Sequence, residues 1–432
     1  MKKLVIALLN WESRLILKKY KPFIVAVTGS VGKTSTKDAI YDALKNLPDV
    51  GIVRKSDKSF NSEIGVPLTI IGVPNAWRSL SGWYRNLSAG LDLILRRREY
   101  PGTLILEIGA DHPGDIRRVT QWLHPDISVI TRVSRTPVHV EFFKSPDEVF
   151  EEKAFLATAV KSDGSLVVFG DDERTLSMGD RVKDRGVSVV SYGLSDKVSV
   201  RAADAQIAYE NNAAVGMNFT ASYQGTSKPI TLRGVIGNGA VYSAIAAVAV
   251  SVVKTGKLPH DQITFDMPKG RMNVIPGMNG STLIDDTYNS SPDAVISAFD
   301  VMKTIQCSGI KIAALGDMLE LGKFAAQEHR HIGAEAKAAL GPSGILVTVG
   351  QRSRATAEEA VKIGMPAEQV KAFDSSREAA SFLAGIVKTG DVVLVKGSQG
   401  IRMERVSEAL LHEPSQAAKL LVRQEKEWLE KA

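Results

Sequence analysis

Apolar residues follow two rhythms along this chain. Short runs of Val, Ile and Leu alternate with longer stretches in which apolar positions return every three or four residues. The first rhythm is that of strands buried on both faces, the second that of helices. FIVAVT (23–28), TLILE (103–107), ISVIT (127–131) and SLVVF (165–169) are strand candidates, with helix predicted between them, for example over 146–160. The alternation predicts an α/β fold: a mostly parallel sheet with helices on both faces. Residues 198–233 alternate apolar and polar side chains around Asn211-Asn212 and Gln224-Gly225, which predicts antiparallel hairpins at the sheet edge. An Ala/Val-rich helix over 240–253 closes this unit. PKGRMNVIPG (268–277) reads as a linker, after which TLIDD (282–286), KIAAL (311–315), ILVTV (345–349) and VVLVK (392–396) restart the alternation. The expected organisation is an N-terminal amphipathic helix over 1–20, a central domain over 21–268 and a C-terminal Rossmann-like α/β domain over 269–432. A cleft between two such domains is a common place for a substrate site.

The N-terminus begins with two lysines and an apolar run from Leu4 to Leu9. That run is shorter than the roughly 7–15 residues of a secretory core, and no small-residue cleavage site follows. Residues 3–19 are read as an amphipathic helix packed on the domain behind it, with a membrane-surface or partner-docking role as the second reading. No other stretch approaches the ~20 apolar residues of a spanning helix, so no transmembrane segment is expected. Over 432 residues, 44% hydrophobic and 24% charged usage fits two to three globular domains. The net charge of +6 comes from scattered residues rather than a basic block, which fits nucleotides as well as it fits nucleic acid. The single cysteine, Cys307, excludes an internal disulfide framework and a Cys-rich zinc site, and points to a reducing, cytoplasmic setting.

One motif carries chemistry unaided. Gly29-Ser30-Val31-Gly32-Lys33-Thr34-Ser35 lies between the strand candidate 23–28 and a helix starting near Lys33. In that context backbone N–H groups and a helix N-terminus cradle phosphates, with Lys33 on the β/γ-phosphates and Thr34 on Mg²⁺. Val27 stands where the commoner loop has a further glycine, so this is the short G-x-x-G-K-T form. The central domain is therefore a P-loop domain that binds ATP. Glu107 ends its strand as a candidate Mg²⁺ ligand. His139 and Lys153, read without a template, are a loop histidine and a charge on a solvated helix face.

Eight ordered segments resemble the Mur ligase family of ATP-dependent amide-bond-forming enzymes, and in particular its D-Ala-D-Ala-adding branch. They are VTGSVGKTST (27–36), NSEIGVP (61–67), EIGADHPGDI (107–116), KGRMNV (269–274), IDDTYNSSPDAV (284–295), LGDMLELG (315–322), EHRHIG (328–333) and VKGSQGIRMERV (395–406). The resemblance implies that ATP phosphorylates a carboxylate to an acyl phosphate, which an amine then attacks as phosphate leaves. It implies that Lys33 steadies the moving phosphoryl group, that Thr34 and Glu107 hold one Mg²⁺, and that His139 helps hold a second. Lys153 matches the lysine that the family typically carbamylates, since a carbamate offers an anionic oxygen where an ammonium repels the ion. Asn61 matches the loop near the γ-phosphate and substrate. Arg271 matches the arginine that reaches the ATP phosphates, Asp286 the acid on the ribose, and Tyr288 and Asn289 the flanks of the nucleotide. Asp317, Glu320, His329, Lys396 and Ser398 fall where the amine substrate is expected. The implied small-molecule substrates are a UDP-muramoyl peptide and D-Ala-D-Ala, handled by a monomer.

Three departures accompany the match. About twenty residues precede the first strand where family members carry a domain for the uridine-diphosphate end of the substrate, so a core lacking that domain is expected. The family's G-x-H-N-x-x-N-A motif appears as Gly237-Asn238-Gly239-Ala240-Val241-Tyr242-Ser243-Ala244, and Gln399 stands where arginine is common. Two other readings stay open at this point: a Mur-type ligase acting on another carboxylate, such as a polyglutamate-like chain, and a non-catalytic nucleotide-binding partner.

Overall fold

The computed structural model describes residues 2–47, 50–57, 60–77, 79–134, 140–259 and 265–430, and in it the strand candidates assemble into two sheets. The first contains β1 (Phe23–Thr28), β2 (Val53–Lys55), β3 (Thr103–Glu107), β4 (Ile127–Ile130), β5 (Ser165–Phe169), β6 (Ser188–Gly193), β7 (Val200–Glu210), β8 (Ala213–Tyr223) and β9 (Thr226–Arg233). Their order is β2-β3-β1-β4-β5-β6-β7-β8-β9. Pairing is parallel as far as β7, and β7, β8 and β9 form the antiparallel edge expected of residues 198–233. The second sheet contains β10 (Asn273–Pro276), β11 (Thr282–Asp286), β12 (Lys311–Gly316), β13 (Ile345–Val349), β14 (Val370–Phe373) and β15 (Val392–Lys396), in the order β10-β11-β15-β12-β13-β14. All its pairings are parallel except that of β10 with β11.

Alternation along the strands builds a core on each face of the first sheet. Val25, Val27, Ile105, Val129 and Val167 meet the helices Lys33–Leu44 and Asn238–Thr255 on one side. Ile24, Ala26, Leu104, Leu106, Leu166 and Val168 meet the helices Gly65–Ile71 and Pro146–Thr158 on the other.

Two expectations change. Residues 268–277 are not wholly linker, because Asn273–Pro276 pairs with Thr282–Asp285 as an edge strand. Pro276 is tolerated there because an edge residue need not donate to a ladder. The helix Asn238–Thr255 is long and apolar enough to cross a bilayer by length and composition, but its most apolar stretch is 67% buried in the core beside β6 and β7.

The N-terminal helix, Lys2–Tyr20, lies on the domain as expected. It buries Leu9 and Ile16 and rests on the helix Leu80–Leu95. Lys19 Nζ donates to the carbonyls of Leu93 and Ile94 at 2.9 Å each. Contact is close at Gly90, where an added Cβ would stand 2.2 Å from Glu12 Oε2. That carboxyl is buried, its Oε2 lacks a partner, and burial pushes its pKa up from 4.5 to about 7. An acid with a raised folded pKa costs nothing while protonated in both states, and the cost grows to its full size above the folded value. Glu12→Gln should therefore leave stability unchanged at pH 4 and raise it at pH 8 by about 3 kcal/mol in urea titrations, from the linkage between pKa and stability.

Candidate active site

Parallel β1, β3 and β4 deliver their C-terminal ends to one edge, where chemistry collects in such sheets. β1 runs into the phosphate loop and the loop into the helix Lys33–Leu44. Gly29 allows the tight entry: a Cβ there would sit 1.9 Å from Thr131 Oγ1 on the turn after β4. Gly32, at φ 87°, turns the chain into the helix. The N–H groups of Ser30 and Val31 donate to the Arg132 carbonyl at 2.9 and 3.2 Å. The first turn of the helix keeps N–H groups without intrahelical acceptors and carries the positive end of its dipole, which suits an anion.

Beside the loop stands Glu107, at the end of β3 and 1% exposed. Its Oε1 accepts from Thr34 Oγ1 at 3.2 Å and from Asn61 Nδ2 at 3.4 Å, while its Oε2 has no partner. Thr28, Ser30 and Thr131 hydroxyls and Arg271 Nε are likewise buried without partners. Buried polar atoms are normally satisfied, so such a concentration marks a place completed by something else. Hard oxygens next to a phosphate loop fit Mg²⁺. Among the described residues no three His, Cys, Asp or Glu side chains cluster, so such an ion would rely on phosphate oxygens and these few donors.

Lys33 is half-buried at the same corner. Burial pushes its ammonium pKa down, Glu107 and Asp111 pull it up, and Arg271 from the second unit pushes it down again. Lys153 is not the solvated charge that its sequence position suggests. Its side chain is buried in the helix Pro146–Thr158, and burial, helped by the charge of Lys33, lowers its pKa to about 7. His139 lies outside the described residues.

Across the cleft, Arg271 stacks on the Tyr288 ring, its guanidinium carbon 4.1 Å from the centroid. Asp286, at the end of β11, accepts from the Met272 N–H at 3.2 Å and from Lys396 Nζ at 2.6 Å. Lys396, expected near the amine, also donates to the Asn289 carbonyl at 3.0 Å. Both charges are buried. Lys396→Met should therefore cost about 3–5 kcal/mol in urea unfolding, because it strands the Asp286 carboxylate. Arg423 donates to the Thr287 carbonyl at 2.9 Å and to the Tyr288 carbonyl, and is itself paired with buried Glu404. No sequence signal marks this support, which comes from more than a hundred residues away in the chain.

After β12, Asp317 Oδ1 accepts from the Ser353 N–H at 2.7 Å, and Ser398 Oγ accepts from the Leu319 N–H at 2.9 Å. Glu320 holds φ 63°, uncommon for a non-glycine residue and a form of stored strain that gathers at binding sites. His329 lies beneath the loop with both ring nitrogens occupied. Nδ1 meets the Ala325 carbonyl at 2.8 Å, and Nε2 accepts from the Met318 N–H at 3.1 Å. Its geometry is that of a loop support, with no ring nitrogen left for a ligand. The loop reaches the first unit at Gly322, where a Cβ would be 2.8 Å from Glu141 Cβ.

A cleft lined by Gly32, Thr36, Tyr242, Ser243, Arg271 and Asp286 runs from the phosphate loop between the two units. Its far wall is aromatic: Phe169 meets Tyr242 edge-on at 4.9 Å and Tyr192 at 5.9 Å. Arg132 ties the walls together by donating to the Asp293 carbonyl at 3.2 Å.

A phosphate loop facing a second α/β unit across such a cleft is the frame of a nucleotide-using enzyme. Residues 27–79 and 85–251 match the Mur ligase middle domain, and residues 270–399 match the Mur ligase glutamate ligase domain. The chain belongs to the Mur ligase family, and it is an ATP-dependent ligase. It is 25% identical over 397 residues to the UDP-N-acetylmuramoyl-tripeptide–D-alanyl-D-alanine ligase of Bacillus subtilis (strain 168), covering 90% of this chain and 76% of that one. It is 28% identical over 409 residues to the enzyme of the same name from Mycobacterium leprae (strain TN), covering 90% and 73%. A crystal structure of MurF from Acinetobacter baumannii shares the fold with a TM-score of 0.75 at 25% identity, over 93% of this chain and 79% of that one.

Proposed function

We propose that this ligase joins D-Ala-D-Ala to a UDP-muramoyl tripeptide in the cytoplasm, through an acyl phosphate. The observation that carries this reading is the phosphate loop, with the half-satisfied Glu107 carboxylate beside it, facing Arg271 and Asp286 across one cleft. In the proposed sequence the tripeptide carboxylate attacks the γ-phosphorus of ATP and ADP leaves. The dipeptide amine then attacks the acyl carbon, and phosphate leaves from the tetrahedral intermediate. Lys33 and Arg271 neutralise charge on the transferring group. Thr34, Glu107 and a carbamylated Lys153, with His139, are the proposed holders of Mg²⁺, which supplies charge neutralisation at the phosphates. Lys153 suits carbamylation because burial keeps much of its amine neutral near pH 7, and the neutral amine is the form that adds CO₂. Asn61 reaches Glu107 from the segment next to the γ-phosphate position. Asp286, Tyr288 and Asn289 bind the nucleoside end, and Asp317, Glu320 and Ser398 shape the dipeptide end. The test is phosphate release from ATP and Mg²⁺ with each substrate singly and with both. Release only with both supports the proposal, and release indifferent to D-Ala-D-Ala refutes it.

A further inference from the structure

Eight of the fourteen large apolar side chains exposed among the described residues belong to one small region, the N-terminal helix, the helix Leu80–Leu95 and Trp77 just before it. On the first helix they are Leu4, Leu8 and Trp11, spaced i, i+4, i+7. On the second they are Leu80, Tyr84, Leu91 and Leu95, spaced i, i+4, i+11, i+15. Each spacing returns to one side of an α-helix. The opposite sides are already used: Leu9, Glu12 and Ile16 are buried, as are Gly82, Asn86 and Gly90. Glu12 meets Gly90 and Lys19 reaches Leu93, so the two helices run in the same sense and form one ridged surface. Tyr84 is 74% exposed and Leu95 79%, more than scattered surface apolar residues explain when grouped this way.

Charge identifies the occupant. Lys18, Lys19, Arg96, Arg97 and Arg98 gather at the C-terminal ends of both helices. Of the acids on the two helices, Glu12 is buried and Asp92 is paired with Arg98 at 2.8 Å and Arg96 at 3.5 Å. Glu99, just beyond, is the exposed exception. A second copy of the chain docked face to face would offer these bases no exposed, uncommitted acid from its own two helices. A bilayer with anionic headgroups would instead take the leucines at its acyl boundary, the Trp and Tyr rings at the interface and the basic cluster among its phosphates. We propose that this two-helix face docks the protein peripherally on an anionic lipid bilayer.

Flotation of the full chain with vesicles tests this, comparing phosphatidylglycerol–phosphatidylcholine mixtures with phosphatidylcholine alone. The expected result is binding to the anionic vesicles, with a blue shift of tryptophan fluorescence and weakening in about 0.5 M salt, where screening is nearly complete within ~4 Å. The double variant Leu8→Glu/Leu91→Glu, at two exposed sites, should lose at least about tenfold in binding while melting at the wild-type temperature. The single variant Arg97→Glu should bind anionic vesicles more weakly, through charge alone. No wild-type binding to anionic vesicles, or equal binding by the double variant, overturns the proposal. So does sedimentation showing a wild-type dimer that Leu8→Glu/Leu91→Glu makes monomeric, because a second copy would then be the occupant.

Discussion

Replacing Lys33 with alanine should slow ATP-dependent phosphate release by about 10²–10³-fold, the usual cost of removing one preorganised donor from a developing charge. The effect is large because Lys33 is half-buried beside the phosphate loop, where a cation acts on a phosphoryl group with less screening than in open water. The same burial makes an opposite effect on stability. A lysine whose folded pKa is lowered penalises the folded state at every pH where the unfolded side chain stays charged, and the penalty fades as pH rises toward 10.5. Lys33→Met should therefore raise the melting temperature of the nucleotide-free protein at pH 7 while slowing turnover by a similar factor, the pattern of a site built for function at a cost in stability. Turnover within tenfold of wild type would remove Lys33 from the mechanism.

Lys153→Ala should reduce turnover by a comparable factor, and here the test can reach the chemistry itself. Burial and the neighbouring Lys33 charge bring this amine to about pKa 7, so its neutral fraction rises steeply between pH 6 and 8. Carbamate loading should rise over the same window, visible as a ¹³C carbamate signal with labelled bicarbonate. Activity should fall in CO₂-depleted buffer and return when bicarbonate is added. Lys153→Glu, which places an anionic oxygen on a shorter arm, should recover part of the activity that Lys153→Ala loses. Full activity without CO₂ would refute the carbamate.

Features that depend on neighbours along the chain are legible in the sequence. The phosphate loop is readable because glycine, lysine and threonine needs arise within seven residues, and Glu107 because a run of buried apolar residues ends on an acid. Short edge strands are not: β2 is Val-Arg-Lys, half-exposed throughout, and β14 has only four residues. β6 escapes because its Ser and Gly residues dilute its apolar signal. Contacts made across the chain leave no local trace. Ser56, whose hydroxyl accepts from the Glu107 N–H at 3.1 Å, and Arg423 behind Tyr288 belong to this class. Lys153 reads as solvated because its helix carries Glu148, Glu151 and Glu152, a pattern that resembles a surface. In fact Glu152 turns inward to accept from the N–H groups of Gly114 and Arg117 at 2.9 Å each.

The pairing of β1 with β3 sets Val27 opposite Glu107, two residues before the phosphate loop's entry at Gly29. A slip of a single residue would bring Leu106 or Ile108 to that place and turn the carboxylate to the other side of the sheet. The sheet thus serves as a ruler, and its graduations are the residue pairs from Phe23↔Thr103 to Val27↔Glu107. Changes deep in these strands, far from any ligand, should act as errors of calibration: the protein stays folded while the acid misses the phosphates it is measured against.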